Sequence, residues 1–280
     1  MKRPLVALLA CAVALPALAQ DASADWDFSN DQRRKLMVAY TQFNNGVGLA
    51  TRCVDGGFEA VITGLPPAGQ ASTRTLRIAF GDDELQDSQW IVATDDTIAV
   101  SELPAPFARK LRDGGRLRVL VPRGAPDRRN LMYDLALPAS STSIDQTLTT
   151  CNRPVVDPRD AELDALEEGG VPRNLTWAVR PTARFPDTNY STGFAVATCL
   201  TNPDGTLRDC AIEFEHPRDG RFGGAVLRAA QRARVRNLDQ PGAPVPVTQV
   251  LFKTDFGVVD SQTSEDEARQ RDSAQRAAGG

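Results

Sequence analysis

The stretch GFAVATCLTNPDGTLRDCAIEF, residues 193–214, decides how the second half of the chain folds. An apolar run from Gly193 to Cys199 leads to the turn Asn202-Pro203-Asp204-Gly205, and a second strand pattern follows from Leu207 to Phe214. An Asp-Gly pair between two such runs is a strong signal for a β-hairpin. The stretch therefore predicts two antiparallel strands.

The residues after this hairpin predict one helix and one further strand. Apolar side chains recur every three or four positions from Phe222 to Val235, which is typical of an amphipathic helix. Val245 to Phe256 then has a strand pattern. The order strand, strand, helix, strand predicts an α+β unit of ββαβ type over residues 180–258. Residues 259–280 have almost no apolar side chains and predict a disordered tail.

Residues 34–151 predict an antiparallel β domain of sandwich or barrel-like form, so the fold class is mainly β with an α+β C-terminal domain. Short apolar runs alternate there with Gly, Pro and Asp turn residues. Two short helices are expected, over Ala105 to Arg112 and from Ser143 to Cys151. The predicted strands are Val47 to Val54, Phe58 to Leu65, Thr73 to Phe80, Gln89 to Ala93, Thr97 to Leu103, Arg116 to Val121 and Leu131 to Leu137.

Polar segments lie on both sides of this domain. Residues 20–33 are predicted to be a polar leader. Residues 152–179 are acidic and punctuated by Gly and Pro. Such connections are typical of domain boundaries, so we predict a linker there.

Residues 1–19 have the pattern of a cleavable export signal. Lys2 and Arg3 form a basic start, an apolar run follows, and Ala17-Leu18-Ala19 supplies the small-x-small motif. The apolar run contains Pro16 and is shorter than the roughly 20 residues that span a bilayer, which argues against an uncleaved anchor. We expect cleavage after Ala19 and a periplasmic mature chain.

Of the five cysteines, Cys11 leaves with the signal and four remain in an oxidising compartment. Three pairings are possible for them. Counting outward from the Asp-Gly turn places Cys199 opposite Cys210, which leaves Cys53 to pair with Cys151. Because no C-x-x-C spacing is present, we predict two disulfides and no metal site.

Charge and polar motifs argue against several classes of function. The formal net charge of −4 has the wrong sign for a nucleic-acid binder. His216 is the sole histidine, and neither G-x-S-x-G nor S-x-x-K accompanies it. The acidic run Asp82-Asp83-Glu84 lacks the spacing of a calcium loop. We therefore expect no catalytic residues and no cofactor.

Residues from about 180 to 258 resemble the C-terminal domain of TonB-type energy transducers. The family has an aromatic-Pro element, a Gly-led strand, an Asp-Gly turn, a second strand, an alanine-rich helix, and Gly-x-Pro-Val before the last strand. Ala233-Arg234-Val235 departs from this pattern, because the family usually has an aromatic pair there. The matching pieces are Arg184-Phe185-Pro186, GFAVATC from Gly193, Asp204-Gly205, CAIEF from Cys210, GGAVLRAAQRA from Gly223, and Gly242-Ala243-Pro244-Val245.

The resemblance implies a non-enzymatic, periplasmic interaction protein. Such a protein would bind a partner peptide or envelope protein, for example an outer-membrane transporter, by adding a strand to its sheet edge. In the family the last strand receives the partner segment. The corresponding partner-binding residues here are Val247, Gln249, Leu251 and Lys253, with Phe185 and Pro186 nearby.

Two other functions stay open from the sequence. The chain could be an envelope enzyme or enzyme inhibitor, with its activity in the β domain and the TonB-like unit as a docking module. It could also be a structural protein associated with peptidoglycan or the membrane. No motif in the sequence favours either over the first.

Overall fold

The computed structural model describes residues 25–163, 165–167 and 169–257. The fold is mainly β with a large antiparallel sheet, as the sequence predicts. The expected export signal, residues 1–19, and the expected tail, residues 259–280, lie outside the described residues. No helix within the described ranges is both long and apolar enough to cross a membrane.

Nine antiparallel strands form one open sheet in the first half of the chain. Its strands are β1 (Asp27–Asp31), β2 (Leu36–Gln42), β3 (Gly48–Val54), β4 (Gly57–Thr63), β5 (Thr73–Phe80), β6 (Gln86–Val92), β7 (Ala99–Ser101), β8 (Gly115–Val121) and β9 (Leu131–Leu137). They lie in the order β1-β2-β3-β4-β7-β6-β5-β8-β9. The seven predicted strands recur as β3 to β9, with some ends shifted.

Helices α1 (Pro104–Arg112) and α2 (Thr142–Thr150) pack on one face of this sheet and complete its core. Trp90 of β6 is fully buried there, and its ring meets the ring of Phe107 edge to face at a centroid distance of 5.0 Å. Predicted disulfide Cys53–Cys151 is confirmed, with its Cα atoms 5.5 Å apart. It ties the end of α2 to β3.

The predicted leader contributes to this domain. Trp26 is only 3% exposed, and its carbonyl accepts a hydrogen bond from the Ser143 hydroxyl at 3.0 Å. The next five residues form β1, which pairs with β2 along its whole length. Four of the five β1 residues are exposed, so backbone pairing rather than side-chain burial holds this strand.

The second half of the chain contains the predicted ββαβ unit. Strands β11 (Thr192–Thr201), β12 (Leu207–His216) and β14 (Gln249–Gly257) form an antiparallel sheet in the order β12-β11-β14. Helix α4 (Phe222–Ala230) packs on one face of it. The register shifts between Thr198 and Leu200, and the predicted bond between Cys199 and Cys210 closes the hairpin at that bulge.

Two elements of this unit differ from the prediction. Helix α4 ends at Ala230 rather than Val235, and the following residues form β13 (Arg234–Asn237). That strand pairs with β10 (Leu175–Val179), which lies in the predicted linker. The turn explains the early helix end: the Val235 amide donates to the Gly205 carbonyl at 2.8 Å, and a Cβ on Gly205 would lie 2.1 Å from the Val235 carbonyl oxygen. Only glycine permits this approach.

The two units pack face to face. An apolar cluster joins the other face of the large sheet to the face of the small sheet that α4 leaves uncovered. Its buried members are Val61, Ile91, Val100, Phe194, Val196 and Phe214. Polar contacts surround this cluster, among them an ion pair of 2.7 Å between Lys253 and Glu102.

Candidate functional site

The edge of the small sheet is formed by β14, which pairs with β11 on one side only. In an antiparallel edge strand, the amides of alternate residues point away from the neighbouring strand. The Leu251 amide donates to a carbonyl outside the sheet, so the odd-numbered residues of β14 carry the outward amides. These are Gln249, Leu251, Lys253, Asp255 and Gly257.

The first half of this edge is already occupied by residues 162–163, 165–167 and 169–170, which we call the connecting segment. The Gln249 amide donates to the Glu162 carboxylate at 2.5 Å, and the Thr248 hydroxyl donates to the same oxygen at 2.8 Å. The Leu251 amide donates to the Gly170 carbonyl at 2.8 Å. The chain therefore supplies its own hydrogen-bond acceptors to two of the outward amides.

A buried arginine anchors the residues that lead into the connecting segment. Arg109 of α1 is 9% exposed and binds both carboxylate oxygens of Asp160, with Nη2 to Oδ1 at 2.8 Å. Its Nη1 also donates to the Pro154 carbonyl at 3.1 Å. Asp160 begins α3 (Asp160–Leu163), the short helix that presents Glu162 to β14. A bidentate pair of this kind fixes both partners in one geometry.

A second ion pair stiffens the same turn. Arg159 donates to both carboxylate oxygens of Asp157, at 2.9 and 2.6 Å. These hydrogen bonds lower the pKa of Asp157 and raise the pKa of Arg159. Both charges are therefore stabilised at neutral pH, and the chain direction toward α3 is fixed.

The second half of the edge, Lys253 to Gly257, is the open part. No hydrogen-bond partner outside the sheet is found for the amides of Lys253 and Asp255 in the described part of the chain. Asp255 and Gly257 are exposed. An extended segment lying beside these residues would find unoccupied backbone donors and acceptors.

The side chains of the predicted partner-binding residues do not form one exposed surface. Gln249 is 3% exposed, and the half-buried Leu251 packs against the cluster between the two units. The Lys253 ammonium binds Glu102 and lies 4.7 Å from the centroid of the Phe194 ring. Val247 is 53% exposed and lies before β14 begins. The side chains of Leu251 and Lys253 thus contact the β domain, whereas the buried Gln249 Oε1 has no hydrogen-bond partner among the described residues.

The predicted Phe185-Pro186 element does lie beside β14. Pro186 is buried, while Phe185 is 38% exposed. The Phe185 ring meets Phe222 and Phe256 edge to face, at centroid distances of 5.9 and 6.0 Å. Phe256 belongs to the open half of the edge, so Phe185 lies next to that half.

The residues considered for catalysis are exposed, and Asp83 and Glu84 line an open cavity of ≈ 740 Å³ together with Lys110 and Asp160. His216 is exposed, and its ring lies 5.8 Å from that of Phe194. Asp82, Asp83 and Glu84 are exposed in a turn after β5. Within the described ranges, no group of three or more His, Cys, Asp or Glu side chains could hold a metal ion.

Sequence reasoning missed the connecting segment, although one signal for it was present. Gly170 has φ of +73°, and a Cβ there would lie 1.7 Å from the Leu251 carbonyl oxygen. A Gly-Gly pair at a supposed linker end can mark a close approach of two backbones as well as flexibility. Here it marks the contact with β14.

Comparison with known proteins adds little to this geometry. No family model matches the chain, and no curated protein matches it. Among solved structures, the chain is similar to the invasion associated protein B from Bartonella henselae, at 14% sequence identity and a TM-score of 0.33. The similarity covers 46% of this chain and 94% of that protein. At this level it carries no argument about function.

Proposed function

We propose that the chain is a non-enzymatic, periplasmic interaction protein with a TonB-like C-terminal unit, and that it binds an extended partner segment by strand addition at the open half of β14. The observation that carries the proposal is the pair of outward amides at Lys253 and Asp255, which lack partners in the described residues. Main-chain hydrogen bonds to a sheet edge supply affinity in this mode of recognition.

The occupied half of the edge limits the length of the partner segment. A segment pairing with Lys253 to Gly257 has room for about five residues, whereas the upstream positions are taken by Glu162 and Gly170. A short pairing gives weak, reversible binding, since each net hydrogen bond contributes only about 0.5–1.5 kcal/mol. Contact with the exposed ring of Phe185 would add apolar area next to Phe256.

The proposed compartment rests on the export signal predicted for residues 1–19, and the two disulfides are compatible with it, since disulfides persist in oxidising compartments. Proteins of the periplasm meet the N-terminal segments of outer-membrane transporters, the partner class that the resemblance implies. We propose a role as adaptor or competitor for such segments rather than as an energy transducer, a role that rests on the predicted cleavage after Ala19.

The test is a proline at Asp255. Asp255→Pro removes one outward amide and places a ring against the incoming strand, so binding should weaken by about tenfold or more. The fold should persist, because proline is tolerated on an edge strand where its N–H would face solvent. The measurement is fluorescence anisotropy with labelled peptides copied from transporter N-terminal segments.

Two matched variants control this experiment. Asp255→Ala keeps the amide and should bind like the unmodified chain, since the carboxylate is exposed. Thr254→Pro removes an amide that points toward β11 and should destabilise the unit. Peptide binding that persists in a folded Asp255→Pro protein would show that β14 does not receive the partner.

A further inference from the structure

A cavity of ≈ 800 Å³ opens at one end of the large sheet, away from β14. It lies between the loop that precedes β5 and the hairpin that joins β8 to β9. Most of its wall is apolar and rich in proline, with Pro66, Pro67, Val121, Pro126 and Leu131 among the lining residues. This volume falls within the range of about 300–1,000 Å³ that is usual for small-ligand sites.

One cation, Arg74, lies at the inner side of this cavity. Arg74 is directly opposite Trp90 in the β5–β6 ladder, and Leu76, two residues on, is fully buried. Side chains two apart on a strand share a face, so Arg74 extends toward the core side of the sheet. It is half-buried there, and burial lowers the pKa of its guanidinium.

The guanidinium is incompletely satisfied by the protein. Nη1 donates to the Pro66 carbonyl at 2.9 Å, and no carboxylate of the described residues forms an ion pair with it. The Asp96 carboxylate acts on Arg74 through space, without a direct ion pair. A guanidinium has five N–H donors in a planar fork, so most of its donors remain for another acceptor.

The wall of the cavity is compatible with the apolar part of a ligand. Proline residues have no amide N–H to satisfy, and their rings restrict the backbone, so such a wall stays open without unsatisfied donors. Arg123 lies at the rim and adds a second positive charge. A partly desolvated cation inside apolar walls favours a ligand with one anionic end and one hydrocarbon end.

We propose that this cavity binds a carboxylate carried on an apolar body, with Arg74 pairing with the carboxylate and the proline-rich wall covering the hydrocarbon. Two sources share this chemistry: a free fatty acid and the C-terminus of a peptide that ends in apolar residues. The site is independent of the β14 edge.

Isothermal titration of the full exported chain tests the proposal. The probes are decanoate, its methyl ester, a capped tripeptide ending in Leu-Val with a free carboxylate, and the same tripeptide as its amide. We expect decanoate or the free-acid peptide to bind, and the preferred probe identifies the source. The matching ester or amide should bind at least about tenfold more weakly, because it cannot form the charged pair.

Substitutions place the binding at Arg74. Arg74→Gln should weaken binding of the carboxylate probe about 10- to 100-fold and leave binding of the neutral probe unchanged. Arg74→Lys should retain part of the preference for the carboxylate probe over the neutral probe. Arg116→Gln, which removes an exposed partner of Asp134 on the same sheet, is the control. Equal binding of acid and ester to the unmodified chain would overturn the proposal even if Arg74→Gln fails to fold. So would unchanged carboxylate binding by a folded Arg74→Gln protein, or no binding by any probe at millimolar concentration.

Discussion

Removal of the two disulfides one at a time should destabilise the protein to different extents. Cys53–Cys151 closes a sequence separation of 98 residues, and Cys199–Cys210 closes one of 11. In the chain-entropy description, the longer loop contributes about 4.7 kcal/mol to the free energy of unfolding and the shorter about 2.8 kcal/mol. The double variant Cys53→Ala/Cys151→Ala should thus lose about 2 kcal/mol more than Cys199→Ala/Cys210→Ala.

The assay is guanidinium unfolding followed by tryptophan fluorescence. The chain has three tryptophans, and their positions report on different units. Trp26 and Trp90 lie in the core of the large sheet, whereas Trp177 packs against the core beneath α4. The fluorescence of the unmodified set of tryptophans therefore follows the unfolding of both units. All four substitutions replace sulfur by hydrogen, so the packing change is matched between the two double variants.

A clear outcome would refute this reasoning. Equal losses for the two double variants, or a larger loss for the short loop, would show that loop length does not govern the stabilisation. Native contacts around Cys199, which is 1% exposed, would then dominate over chain entropy.

Three further predictions concern contacts that sequence reasoning did not foresee. Phe214→Ala should lower the free energy of unfolding by about 3–5 kcal/mol and speed proteolysis within residues 160–172, because it opens the interface between the units. A time course of proteolysis followed by mass spectrometry checks this, and cleavage at the rate of the unmodified chain would contradict it. Asp157→Asn should lower the free energy of unfolding above about pH 4. The difference in free energy from the unmodified chain should disappear as the pH falls through the lowered pKa of Asp157, since the carboxylate stabilises the folded state only while it is ionised. Denaturant titrations at several pH values check this, and a difference that does not change with pH would contradict it. Thr147→Val should lower the free energy of unfolding by about 1–3 kcal/mol, because it leaves the buried Thr51 hydroxyl without its hydrogen-bond partner at 2.9 Å. Thermal unfolding measures this, and a stability equal to that of the unmodified chain would show that Thr51 finds another partner.

Local patterns in the sequence were sufficient for the elements whose partners lie nearby along the chain. The Asp204-Gly205 turn fixed the β11–β12 hairpin, and counting outward from it paired Cys199 with Cys210. The strands from β3 to β9 were predictable for the same reason. Most of them pair with a sequence neighbour across a short turn, so period-2 patterns and turn residues carry the information.

Elements that depend on distant partners were not predictable. β10 is stabilised by pairing with β13, about 60 residues later in the chain. Its sequence, LTWAV, follows an acidic and Gly-rich stretch whose composition is typical of a linker. The position of the connecting segment depends on Arg109 and on the edge of β14. None of these partners is adjacent in sequence. An acidic segment has the same composition whether it is solvated or bound to a buried arginine, so composition does not distinguish the two cases.

The composition of β11 bears on where a partner could bind this unit. Phe194 to Leu200 contains no regular alternation of polar and apolar residues, and its alternate side chains enter two different cores. Thr198, the one hydroxyl in that run, is buried and donates to the Glu213 carboxylate at 2.7 Å. A strand that is apolar on both sides belongs to a sheet covered on both faces. Because α4 covers one face and the β domain the other, the small sheet offers a partner its backbone edges rather than a face. Under the proposed function, recognition by this sheet would therefore use main-chain pairing, which the connecting segment confines on β14 to Lys253 and the residues after it.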